Sequence, residues 1–497
     1  MTTFLQKEGF GEKEKKLATT EGTWAYHSVQ HNLSFRSMDC TSKLIKKCFE
    51  SMFACARTKT EAILNNVFLP DALELLKDDL SHVNCVTLYC DCSNHGNIKL
   101  CPLLVRYFSP FHGIKVKVLE VKNLGGETSE IISDYIKETL SSNDLSSKVL
   151  ALCADNTNCN FGGSSRGGKN NVFYRMQQVL GRKLIGVNCA AHILNNCMKT
   201  ATDCLPLDVE VITVKIYSFF YIYTVRVEQL KEICEKADVH YQNLLGYTKT
   251  RWLALRPAVE RILKLFKPLK TYFLSQDKCP SLLKQFFDDP FSEVWLYFVH
   301  SQSTVFHECT LKIESQKVSM MEVSCILKNL KVKITERKRE LFIPIIITKM
   351  LRDLERNGNN VEHFKTAVES FYGTSVEYLD QWTKSFDEVE NFDWVLLQSN
   401  SICWSQVQEA VSFIQGIKPD LEIDDSELFD EITCVKNFLA DEKMQQWKVN
   451  DVEVDRKWVD IFCHFDDKSI PFRNISKVIE FCLSLQKKEK VTSEKSQ

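Results

Sequence analysis

Between residues 83 and 200, short apolar runs alternate with helical periods in a fixed order, and that order constrains the fold more than any other feature of the chain. Val83 to Asp91 (VNCVTLYCD), Lys99 to Tyr107 (KLCPLLVRY) and Ile114 to Val121 (IKVKVLEV) read as strands rich in Val, Leu and Tyr. Ser-Asn-His-Gly (93–96) and Ser-Pro-Phe-His-Gly (109–113) place turn residues between them at hairpin lengths, which predicts a three-stranded antiparallel meander. Gly-Gly-Glu-Thr-Ser (125–129) then leads into Ile131, Ile132, Tyr135, Ile136 and Leu140 at helical spacing, with Thr128 or Ser129 as the cap. Lys148 to Asp155 (KVLALCAD) is a continuous apolar run closed by an acid, the pattern of a strand covered on both faces. A Gly-rich loop, a helix over 170–180, a buried strand over 183–189 and a helix over 190–200 complete the series. The order β-β-β-α-β-α-β-α is that of an α/β, RNase H-like core. In such a core the first and fourth strands are central neighbours and deliver residues from their carboxyl ends to one place.

The rest of the chain reads as helix. From Leu205 to about residue 400 glycine is scarce and apolar residues recur at three and four. Val209, Ile212, Ile216, Phe219, Phe220, Tyr223, Val227 and Leu230 form one stripe, with Arg226 and Glu228 off it. The expected organisation is a mainly helical region over 1–80, the RNase H-like core over 81–204, and a large all-α insertion domain over 205–400. A C-terminal helical piece follows over 401–486, entered through an acidic linker from Lys418 to Glu431. The polar end, 487–497, is expected to be disordered. At 497 residues the chain exceeds one core, and 44% hydrophobic against 26% charged residues describes a folded body.

Composition excludes more than it assigns. The net charge of −2 means that any nucleic-acid footprint is a local patch. The amino terminus, MTTFLQKEGFGEKEKK, lacks the apolar core of a signal peptide. The most apolar stretch, Val211 to Val225, is short and holds Lys215, so no membrane partner is expected. The 20 cysteines include the C-x-C pair Cys90 and Cys92 and isolated residues such as Cys40 and Cys48, with no C-x-x-C pair. They read as reduced thiols of the nucleus or cytoplasm.

Asp91 and Asp155 each end a predicted strand, and in the derived order those strands are neighbours. Two carboxylates converging on one point repel unless a cation lies between them, which is how two-metal nucleases hold Mg²⁺ and activate water against a phosphodiester. The competing reading of each acid is a turn former or helix cap. Several short strings support the first reading: EGTWAYH (21–27), LYCDCSNHG (88–96), ADNTNCNFGG (154–163), GKNNVFYRM (168–176), GVNCAAHILNN (186–196), YTVRVEQLKEIC (223–234) and TKTRWLALRPAVERIL (248–263). In this order, over about residues 10–485, they resemble the hAT superfamily of DNA transposases, and within it the domesticated, BED-finger-associated members.

The resemblance implies that Asp91 and Asp155 correspond to the first two catalytic acids, with Mg²⁺ as their ion. It implies that Cys189 and His192 match a C-x-x-H motif and that Arg251 and Trp252 match an R-W motif. These four are read as DNA-binding or site-shaping groups, with packing and capping as the alternative. The loop Gly163 to Asn170 nearly matches a phosphate loop but ends in Asn170 where a hydroxyl is required. Arg166 and Lys169 within it are candidates for a DNA phosphate. His27 and His31 have the spacing of half a zinc finger, without the cysteine pair. The basic run Lys328 to Arg339 is the best local electrostatic patch, and a solvated helix face is its competing reading.

The departure from the family concerns the third carboxylate. The family places its catalytic Glu in an A-x-x-E-R-x-F-S-like helix inside the dimerisation segment. Here KVIEFCLSLQ (477–486) resembles the lead-in to that helix, and KKEKVTSEKSQ follows. Glu489 and Glu494 are the acids there, and neither stands in the motif. The expectation is a chain truncated at both ends relative to the family, without the BED finger and with an incomplete dimerisation region, so the resemblance carries no homodimer. The expected function is a catalytically inactive, transposase-derived nuclear protein that binds DNA, protein partners or both, with no cofactor required. The alternatives are a metal-dependent nuclease using Asp91 and Asp155, and a protein-interaction scaffold without DNA binding.

Overall fold

The computed structural model describes residues 11–246, 252–276, 278–314, 318–387, 389–399 and 401–485. The chain divides into two compact units, with the boundary between Val83 and Asn84.

In the first unit, helices Glu12–Gln30, Ser37–Cys48, Arg57–Ile63 and Leu69–Ser81 enclose a small core, the last two joined by a wider turn at Leu64–Phe68. Ile45, Phe53 and Cys55 form that core, and Leu17, Trp24 and Ile63 pack against it. Glu21 is buried with them. A buried carboxylate requires partners, and Glu21 accepts from the Ala54 amide at 2.9 Å and from Lys59 Nζ at 2.5 Å. The 21–27 segment therefore supplies packing and a buried ion pair to this unit.

The second unit is built on a mixed six-stranded sheet: β1 (Val86–Cys90), β2 (Ser93–His95), β3 (Ile98–Ser109), β4 (Gly113–Leu124), β5 (Val149–Ala154) and β6 (Ile185–Asn188). One edge of β3 pairs antiparallel with β1 and then β2, and the other edge pairs with β4. Beyond β1, strands β5 and β6 follow in parallel. β1 and β5 are buried at every position, which accounts for a continuous apolar sequence in β5 and one broken only by Thr87 in β1. Residues 93–96 were expected to form the first hairpin turn; instead Ser93–His95 is a strand and the reversal is the two residues Gly96 and Asn97. His95 pairs with Ile98, so only a two-residue turn fits, and Gly96 supplies its positive φ of 61°.

Helices cover both faces of the sheet. Helix Ser129–Ser142, capped by Thr128, packs with Val172–Leu180 and against β4 on one face. On the other lie Val454–Asp467 and Arg473–Ser484, the latter against β3 and β1. Helix Ala190–Thr202 joins this core to Ser292–Ile313 and Glu362–Trp382, so the sheet and the later helices share one unit.

Two expectations are corrected here. The single apolar stripe over 209–230 is two helices, Val209–Phe220 and Thr224–Lys236. Tyr221 and Ile222 at the break are about 70% exposed. Arg226, expected to stand clear of the stripe, folds back over Phe219 and Tyr223, its guanidinium 4.0 and 3.8 Å from their ring centres, and donates to the Phe219 carbonyl at 2.8 Å. The hydrogen bond satisfies one of the last carbonyls of the first helix, and the cation–π contacts hold the guanidinium over it. The expected linker Lys418–Glu431 contains the first half of helix Asp425–Phe438, capped by Asp424. Both of its end residues are buried: Lys418 donates to the Ser147 carbonyl at 3.0 Å, and Glu431 accepts from the Asn474 amide at 3.1 Å.

Candidate functional site

β1 and β5 run parallel, side by side, with Tyr89 level with Cys153. Extending that register by two residues sets Asp91 level with Asp155. Asp91 and Asp155 directly follow the last residues of the two strands, and the alternation that sets Tyr89 and Cys153 on one face, carried on two residues, turns both acids towards that face. Both are half-buried. Burial raises the Tyr89 hydroxyl well above the usual tyrosine range, and the charge of Asp91 beside it adds to the effect.

The segment after β5 is organised around Asp155 and Asn156. Thr157 Oγ1 donates to Asp155 Oδ1 at 2.9 Å, and the Asn160 side-chain amide donates to the same oxygen. Thr157 also caps the short helix Asn158–Phe161. The Asn156 side chain bridges to the next strand. Its Oδ1 accepts from the Cys189 amide at 3.0 Å and from Asn188 Nδ2 at 3.2 Å, while its Nδ2 donates to the Cys189 carbonyl at 3.3 Å. This pairing fixes the tip of β5 against the tip of β6. Sequence reasoning singled out the acid and missed the amide beside it.

Cys189 is the buried cap of helix Ala190–Thr202, and His192 lies half-buried in its first turn. Three residues further on, Asn195 Oδ1 accepts from the Leu253 amide at 2.9 Å. That bond ties this helix to the short turn Trp252–Leu255. The C-x-x-H and R-W segments are therefore joined through Asn195, which follows His192 at helical spacing and was not anticipated. Arg251 lies outside the described residues.

Arg166 and Lys169, read together from the sequence, have different places. Arg166 adopts a positive φ of 51°, and its guanidinium sits over Phe161 and Phe173, 5.4 and 5.3 Å from their ring centres. It donates to the Gly186 carbonyl at 2.5 Å and to Asn188 Oδ1 at 2.8 Å. These bonds direct it inward onto β6. Lys169 is exposed at the end of the loop. Asn171 caps helix Val172–Leu180 at the Tyr174 amide, 2.8 Å, and donates to the Gly168 carbonyl at 3.1 Å. The loop is thus closed on itself through its own cap.

The basic run lies on helix Met320–Arg339. Leu327, Leu330 and Ile334 are buried, Lys331 pairs with Asp380, Arg339 with Glu336 at 2.6 Å, and Arg337 donates to Gln302 at 2.6 Å. Much of its charge is therefore engaged within the fold.

A two-ion Mg²⁺ centre requires more oxygen donors than this pair offers. One oxygen of Asp155 already accepts two hydrogen bonds. Among the described residues, the one group of three metal-type side chains with donor atoms within 4.8 Å of one another is Cys90, Cys92 and Cys101, not a set containing either acid. Glu480, the acid of the last described helix, is placed at the opposite end of β1. Its carboxylate accepts from the Cys85 amide and from Asn84 Nδ2, both at 2.8 Å, and from the Asn84 amide. Seven residues of chain separate Asn84 from Asp91, about 20 Å of extended strand. Among the described residues, no group of three metal-type side chains within 4.8 Å of one another includes the two acids, so the third carboxylate of a two-metal centre is not among them. Glu489 and Glu494 lie outside the described residues. Compared with protein-family models and with curated proteins, the chain matches none.

Proposed function

We propose that this chain is a transposase-derived protein with an RNase H-like core that binds DNA in the nucleus without cutting it. The observation that carries the reading is the register of β1 and β5, which brings Asp91 level with Asp155. The sheet supports it: β1 lies between β3 and β5, with β4 beyond β3 and β6 beyond β5, and the two acids directly follow the carboxyl ends of β1 and β5. The non-cutting part is supported by Glu480, which is committed to Asn84 and Cys85, and by the hydrogen bonds already held by Asp155. A centre lacking one metal ligand ordinarily loses several orders of magnitude in rate.

Two assays test the two halves. Supercoiled plasmid incubated with the full chain and Mg²⁺ or Mn²⁺ is expected to remain intact, both for the natural sequence and for Asp155→Asn. Nicking that Asp155→Asn abolishes would overturn the non-cutting assignment and establish a nuclease. In gel shifts over a salt series, a DNA binder weakens steeply as salt rises, because phosphate contacts release counterions. Absence of any shift at low salt would favour a protein-interaction scaffold instead.

A further inference from the structure

Cys90, Cys92 and Cys101 are brought together by hairpin register. In the β1–β3 pairing Cys90 stands opposite Leu103, and in the β2–β3 pairing Ser93 stands opposite Leu100. Both pairs keep one register, so Cys92 falls opposite Cys101 and Cys90 lies diagonally from it. Alternation puts the three thiols on one face of the sheet and Asp91 on the other. Their sulfurs all lie within 4.8 Å of one another, with Cys90 Sγ and Cys101 Sγ 3.2 Å apart. Cys90 and Cys101 are buried, whereas Cys92 is half-buried. Helix Ser129–Ser142 covers this face, and Tyr135 donates its hydroxyl to the Cys101 carbonyl at 3.2 Å.

We propose that Cys90, Cys92 and Cys101 form a three-thiolate site for a single Zn²⁺ ion. Tetrahedral Zn²⁺ with Zn–S bonds near 2.3 Å sets its sulfurs about 3.8 Å apart, inside the spread found here. The sulfurs converge without moving either strand, because β3 fixes Cys101 and the line of β1 into β2 fixes the other two. Water or an exogenous donor completes four-coordination on the side of Cys92, the thiol nearest solvent. A disulfide between Cys90 and Cys101 would leave Cys92 without a role, whereas a metal employs all three. A bound ion would pin the end of β1 to β3 on both sides of Asp91. The site is independent of the DNA reading, since it lies on the other face of the sheet.

The test uses the full chain purified under reducing conditions. One equivalent of Zn²⁺ is expected by elemental analysis, and Co²⁺ substitution is expected to give intense thiolate-to-metal charge transfer with the visible bands of a tetrahedral site. Cys92→Ser removes the least buried ligand. It is expected to lose that equivalent and the Co²⁺ spectrum, weakening binding by at least about 10–100-fold, while circular dichroism in chelator stays unchanged. Cys204→Ser, an exposed thiol elsewhere, is expected to retain both. Equal Zn²⁺ and Co²⁺ binding by Cys92→Ser and the natural chain would overturn the proposal. So would a Cys90–Cys101 disulfide mapped in the freshly prepared, metal-free protein.

Discussion

Glu480 holds both amides of Asn84, backbone and side chain, across 396 positions of sequence. The same carboxylate takes the Cys85 amide, so the last described helix secures the start of the central strand. That helix is itself secured from behind. Glu431 accepts from the Asn474 amide at 3.1 Å and the Ile475 amide at 2.5 Å at the helix amino terminus, where a carboxylate also meets the favourable end of the helix dipole. One buried acid thus docks the helix at the start of β1, and the other fastens it to helix Asp425–Phe438.

Replacing Glu480 by Ala leaves the buried Cys85 amide and the part-buried Asn84 amide without their acceptor. The loss is expected to be about 3 kcal/mol, read as a lower urea midpoint, with Glu480→Gln costing less because one oxygen remains. Equal midpoints for Glu480→Ala and the natural chain would refute the docking role. The pH dependence has a defined sign. Burial raises the Glu480 carboxyl above the ordinary glutamate range, although its hydrogen bonds to Asn84 and Cys85 pull the other way. The folded chain therefore holds this proton more tightly than the unfolded one. Its contribution is full below the ordinary glutamate pKa and is lost as pH rises through the raised folded value. Glu480→Gln is expected to flatten that part of the stability profile.

Gly113 opens β4 with a φ of 78°, and a Cβ there would strike Asp455 Oδ2, the atom that accepts from the Ile114 amide at 3.1 Å. Gly113→Ala combines an unfavourable left-handed conformation with a collision against a buried carboxylate. A loss of about 2 kcal/mol in unfolding free energy is expected. An unchanged melting temperature would show that Asp455 can withdraw without cost.

The parts of this architecture that were legible in sequence are those enforced by local chemistry. The buried run Val149–Ala154 announced a strand because both faces are covered, and Thr128 announced a helix because its hydroxyl accepts from the Ile131 amide three residues on. What stayed hidden depends on partners that sequence does not bring close. Glu480, Glu431 and Asn156 bind backbone amides, which have no side-chain signature. The apolar period through 209–230 continued past a real break because Tyr221, Ile222 and Tyr223 are apolar yet exposed. The C-x-C pair was visible, but its third thiol required the turn to be placed at Gly96 and Asn97. Only that placement brings Cys101 opposite Cys92.

Asn156→Ala removes three hydrogen bonds that join the tips of β5 and β6. Two involve the backbone of Cys189, the buried cap of the next helix. A loss of about 2 kcal/mol is expected, concentrated locally. Faster hydrogen exchange at the Cys189 amide and faster alkylation of its thiol would report it. Protection equal to that of the natural chain would mean that the two tips are held by other contacts.

Arg166 and Lys169 separate a structural role from a DNA role within one loop. Arg166 is bound to Gly186 and Asn188 and packed over two aromatic rings, so Arg166→Ala should destabilise by about 2 kcal/mol. It should leave the salt dependence of DNA binding unchanged at temperatures where the variant is folded. Lys169 is exposed, so Lys169→Ala should leave stability within about 0.5 kcal/mol. If that lysine meets a phosphate, it should lower the slope of log affinity against log salt by about one. Measuring both variants in both assays gives four outcomes. A reduced slope for Arg166→Ala with full stability would show that the guanidinium leaves β6 to meet DNA, against the bonding found here. An unchanged slope for Lys169→Ala would remove this loop from the DNA footprint.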